Sequence, residues 1–108
     1  MTKEDLIGII DGLQAAINEA VARGPSLEQQ KQLDQLADGL TDAQGELVKA
    51  IIREDDPEYV KATADLAKVN DKIKADLTAM AQLAAILDGI KQAVELVMAI
   101  LKLVGVVI

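Results

Sequence analysis

The sequence predicts an all-α protein: an antiparallel helical hairpin or bundle in which two shorter helices pack on one long C-terminal helix. Three observations carry this. The chain has 108 residues, 51% of them hydrophobic, yet Tyr59 is its only aromatic residue, so the core is built from Leu, Ile, Val, Ala and Met. That palette favours helices over a β-sandwich. Apolar residues recur at three- and four-residue steps, the helical period. The only two prolines, Pro25 and Pro57, stand at punctuation points, directly after Gly24 and Asp56. The length suits a single domain over residues 1–108.

The first helix is predicted over about residues 3–22, where Leu6, Ile9, Ile10, Leu13, Ile17, Ala20 and Val21 form one apolar stripe. Thr2 is placed to cap it, with Asp5 in the capping-box position, and Gly24 followed by Pro25 is a C-terminal stop. Gly8 and Gly12 form a G-x-x-x-G spacing on this helix. Small residues at that spacing let one helix approach another closely, so these two glycines are expected to pack against the third helix.

The second helix is predicted over about residues 27–53, opened by a Ser26–Gln29 capping box. Its apolar positions are Leu33, Leu36, Leu40, Leu47, Val48, Ile51 and Ile52. Gly39, Leu40, Thr41 and Gln44 also read as a helix stop followed by a new capping box. The stripe keeps its register across Gly39, which favours one continuous helix.

The third helix starts with Asp56 as cap and Pro57 at the first helical position, where a missing N–H is harmless. Steps of seven from Tyr59 reach Leu66, Ile73, Met80, Leu87, Val94, Leu101 and Ile108. Steps of seven from Ala62 reach Val69, Asp76, Leu83, Ile90, Val97 and Val104, with Asp76 the one interruption. The pattern predicts one helix over about residues 57–104, roughly 72 Å long at ~1.5 Å per residue. The second helix would cover its first half. The first would either continue along it, from about Ala85 onward, or fold back into a compact three-helix bundle.

Chemistry is sparse. The absence of His and Cys removes the commonest general base, the main transition-metal ligands, thiol nucleophiles and disulfides. One Ser and four Thr remain as hydroxyl nucleophiles with no His to activate them, and Ser26 and Thr41 already have capping explanations. Asp11, Asp34, Asp38 and Asp42 lie mainly away from the apolar stripes and read as solvated surface. The acidic run Glu54, Asp55, Asp56, Glu58 lacks the glycine and alternating spacing of an EF-hand loop, and helix capping accounts for it. No enzyme, cofactor, metal or small-molecule substrate is expected. The net charge of −7 repels nucleic acid and anionic lipid. All of it lies in residues 1–56, with 12 acidic and 5 basic groups, while residues 57–108 carry 6 of each. No basic segment followed by an apolar run opens the chain, so a cytoplasmic location is expected, although export without a cleavable signal leaves no trace in a sequence.

The informative stretch is residues 77–108. Its only charges, Asp88, Lys91, Glu95 and Lys102, share one narrow stripe, and the rest of the circumference is nearly all apolar. Such a helix must be covered on several sides, and the two shorter helices supply two neighbours at most. Self-association is therefore expected. The chain reads as a non-enzymatic assembly module, homo-oligomeric through Leu83, Ile86, Leu87, Ile90, Val94, Val97, Met98, Leu101 and Val104. In that reading Val94→Asp or Ile90→Asp lowers the oligomer state while much of the helicity survives. Two alternatives share the same surface: a membrane-associating or pore-forming segment over 77–108, or one half of a hetero-complex with another helical protein. These patterns are generic to helical proteins, and none is a family signature.

Overall fold

The computed structural model describes residues 1–105 and contains four helices: α1 (Lys3–Ala22), α2 (Leu27–Lys49), α3 (Pro57–Thr78) and α4 (Leu83–Leu103), with no strand among the described residues. Val106, Val107 and Ile108, which include the last step of the seven-residue series, lie outside the described residues.

The predicted starts are built as the side chains require. Asp5 N–H donates to Thr2 Oγ1 at 3.1 Å, while Thr2 N–H donates back to the Asp5 carboxylate at 3.3 Å. Ser26 and Gln29 do the same at α2, at 3.2 and 3.0 Å. Asp56 Oδ1 accepts from the N–H groups of Glu58 and Tyr59 at 2.9 and 3.2 Å, with Pro57 at the first helical position. The chain leaves α1 through Gly24 at φ +73°, a conformation that a Cβ disfavours. α2 runs through Gly39 without a break. It stops at Lys49, four residues short of the predicted end at 53, because residues 50–56 must cross the end of the bundle to reach α3. Lys3 Nζ fixes that stop by donating to the carbonyls of Val48 and Ala50 at 2.8 and 3.0 Å. A cation there is favoured by the helix dipole. Glu54 in turn accepts from Lys3 N–H at 2.6 Å, an anion at the start of α1.

The predicted long third helix is two helices. α3 ends at Thr78, the chain turns through residues 79–82, and α4 runs back along it. The turn is a Schellman motif: Ala81 N–H bonds Asp76 O at 2.9 Å, Met80 N–H bonds Leu77 O at 3.2 Å, and Met80 adopts φ +56°. A side chain in that left-handed conformation costs about 1–2 kcal/mol. The return puts seven large aliphatic side chains of α4, from Ile86 to Leu101, into the core, each worth roughly 1.5–3 kcal/mol when fully buried. The second term is several times the first, so folding back wins.

The result is an up-down-up-down bundle measuring 40 × 24 × 17 Å. α1 packs on α2 and α3, and α4 on α3 and α2. α1 and α4 also meet across the centre, whereas α2 and α3 occupy opposite corners without touching. This geometry answers the demand for neighbours made by the apolar circumference of α4. α3, α2 and α1 of the same chain all cover it. One row of α3 also shifts: its inward face runs Tyr59, Thr63, Leu66, Asn70, Ile73, and the predicted seam residues Ala62 and Val69 are half-buried beside it.

Candidate functional site

The residues expected to form an association surface are all on or next to α4, and the fold does bring them together, inside the chain's own core. Ile86, Ile90, Val97 and Leu101 are fully buried, Leu87 and Val94 nearly so, and Leu83, Met98 and Val104 half-buried. Substitutions at Ile90 or Val94 therefore act on the bundle itself. The charged stripe sits where its spacing requires: Asp88, Glu95 and Lys102 are exposed and Lys91 is half-buried.

The two glycines singled out for close packing do not make one within the bundle. Gly8 is exposed, Gly12 is half-buried, and a Cβ built on either meets nothing within 4 Å. The close approach falls on Gly89, where a Cβ would stand 3.0 Å from Ile73 Cγ1 on α3, so that the Ile73 side chain would have to shift. Its flank of Asp88 and Lys91 on the outer stripe, with Ile90 and Ala93 inward, places it on the boundary that packs against α3; its lone position gave no spacing to read.

Sequence reasoning passed over Arg23 and placed Met80 in the apolar seam of a continuous helix, whereas the two meet at the exposed turn between α3 and α4. Arg23 is the C-terminal cap residue of α1, and its guanidinium reaches the turn between α3 and α4. Nη1 donates to Ala81 O at 2.9 Å and Nη2 to Leu77 O at 3.0 Å, with Met80 Sδ a further 3.4 Å contact from Nη2. The planar fork spans two carbonyls of the turn: that of Leu77, which also accepts from Met80 N–H, and that of Ala81. Met80 itself is 74% exposed. Gln82, at the N-cap position of α4, makes no side-chain capping hydrogen bond.

The Ser and Thr hydroxyls all bond to the helices that carry them. Thr2 and Ser26 accept helix-capping hydrogen bonds, and Thr41, Thr63 and Thr78 donate to carbonyls one turn back, at 3.0, 2.9 and 3.0 Å. Of the acidic run, Glu54 bonds Lys3 N–H and Asp56 caps α3. Among the described residues no group of three or more acidic side chains is arranged to hold a metal ion. No helix among them is long and apolar enough to cross a membrane.

A cleft of about 240 Å³ opens at the end of the bundle between the 50–56 connection, the start of α3 and the end of α4, lined by Ile51, Arg53, Asp56, Tyr59, Leu103 and Val104. The Tyr59 hydroxyl is buried and has no hydrogen-bond partner among the described residues. Burial first, then the carboxylates of Glu54, Asp5 and Glu4, raises its pKa above the ordinary value of 10.0. The folded state therefore holds the phenol proton more tightly than the unfolded chain. Stability associated with Tyr59 is complete below pH 10 and falls as pH rises through the folded value. Tyr59→Phe should be neutral or stabilising by up to about 1 kcal/mol at pH 7, because it removes an unsatisfied donor. It should also remove Tyr59's share of the alkaline loss. Urea titrations of both proteins at pH 7 and above pH 10 check this, and a loss above about 1.5 kcal/mol at pH 7 would mean that the hydroxyl is partnered.

No protein-family model matches the chain, no curated protein is detectably similar to it, and no solved structure matches it.

Proposed function

We propose that the chain is a non-enzymatic helical assembly module that self-associates through the apolar face of α4. The observation that supports this is how α4 is held. Its aliphatic side chains are covered by α1, α2 and α3, three surfaces that every copy carries in identical form, and it joins them only through the four residues 79–82. An element packed this way fits a second copy as well as its own. The capping roles of the hydroxyls support the non-catalytic half of the reading.

The test is absolute molar mass by light scattering on a sizing column, without detergent, for protein refolded from denaturant over a hundredfold range of concentration. The expected result is a dimer or higher species whose share grows with the concentration at refolding. A monomer at every concentration would overturn the reading. If that monomer released dye from liposomes, and lost the activity on removal of residues 77–108, membrane association would take its place.

A further inference from the structure

We infer that the turn between α3 and α4 is a hinge through which two copies of this chain exchange α4, with α3 and α4 joining into one continuous helix in the exchanged dimer. The inference rests on the self-association reading and specifies its route.

The residues of the turn are helix formers. Ala79, Met80, Ala81 and Gln82 carry strong helical preference, and no glycine or proline occurs between Pro57 and Gly89. Nothing in the local sequence requires a bend. The bend is also strained, since Met80 holds φ +56° with a full side chain. Straightening removes that strain and gives the uncapped start of α4 its missing helical hydrogen bonds. One apolar row stays in phase across the hinge, running Ile73, Met80, Leu87, while the other resumes at Leu83 and Ile90 after the polar step at Asp76. A straight helix would therefore bring the exposed Met80 onto the apolar face.

In the exchanged dimer, α4 of each chain lies against α1, α2 and α3 of the other, so the core contacts are those of the monomer. Only the hinge differs, and small hinge terms decide the balance. Arg23 opposes opening. The carbonyls of Leu77 and Ala81 that it binds would accept backbone N–H groups four residues on in a continuous helix, and the guanidinium would lose both. Arg23 is thus a latch on the closed monomer, and Met80 is a spring against it.

The chain has no cysteine, so spin labels can be placed at will. Labels at the exposed positions Glu58 and Lys102 lie at the same end of the closed monomer, beside the cleft that Tyr59 and Leu103 line. In a continuous helix they would stand on the order of 66 Å apart, at ~1.5 Å per residue. Dimer made from labelled chain diluted in unlabelled chain reports the distance within one chain. The expected result is a population near the long distance in the dimer and the short one alone in the monomer. Met80→Gly, which suits the left-handed turn and weakens the straight helix, should raise the dimer dissociation constant about tenfold per hinge, on the order of a hundredfold for two. Arg23→Ala should lower it. A dimer showing only the short distance, or one unaffected by Met80→Gly, would overturn the exchange while leaving self-association through another face. Absence of any dimer would overturn both.

Discussion

Ile90→Asp should abolish the cooperative unfolding transition and most of the helical circular dichroism at 25 °C. Ile90 is fully buried at the centre of the bundle. The substitution removes aliphatic packing worth about 2–5 kcal/mol and places a carboxylate in the buried hydrophobic core, which costs several kcal/mol more or forces its protonation. A domain of this size has roughly 5–15 kcal/mol in total, so the loss consumes most or all of it. Glu95→Ala on the exposed stripe of the same helix is the control and should stay within about 0.5 kcal/mol. Retained helicity and a cooperative transition in the Ile90 variant would mean that α4 faces a partner and not its own chain. That outcome is what the charge stripe and apolar surplus predicted when read as one extended helix.

Arg23→Ala is expected to lower stability by about 2–3 kcal/mol, seen as a lower urea midpoint at unchanged slope. Both carbonyls lose a charged donor, and interactions of this kind are worth roughly 1.5–3 kcal/mol each, short of additive when they share one side chain. Arg23→Lys should recover only part, because an ammonium cannot span two carbonyls in a fixed fork. A change below about 0.5 kcal/mol for the alanine variant would show that water replaces the guanidinium without loss and that the turn holds itself.

The elements whose ends carry chemistry were legible in the sequence. Thr2, Ser26 and Asp56 announce helix starts through side-chain oxygens of fixed reach, Gly24 announces a stop, and each does so in the structure. The stripe of Asp88, Glu95 and Lys102 was legible because charges avoid burial. The turn at 79–82 was not legible. It is closed by backbone hydrogen bonds and by an arginine more than 50 positions away, with a methionine where glycine usually stands. The heptad count runs on undisturbed because one row, Tyr59, Leu66 and Ile73 in α3 and Leu87, Val94 and Leu101 in α4, is buried in both arms of the hairpin. The one available sign was Asp76, the polar step in an apolar row, which lies two residues before α3 ends. Gly8 and Gly12 misled for the opposite reason: their spacing is that of a packed face, but the stripe of α1 that faces inward is Leu6, Ile10, Leu13 and Ile17. The sequence placed Ile86, Leu87, Ile90, Val94, Val97 and Leu101 on the apolar side of this segment, and they are buried in α4, but it did not determine which chain covers them.

The central position of α4 also sets a timescale. Because it touches each of the other three helices, it cannot leave the core without exposing the interior of all of them. Conversion between a closed monomer and an exchanged dimer must then pass close to the globally unfolded chain, with half-lives that for small domains reach hours to days in native conditions. Such a protein has hysteresis. Its assembly state is written when the chain folds, by how crowded it then is with its own copies, and diluting it afterwards does not promptly erase the record.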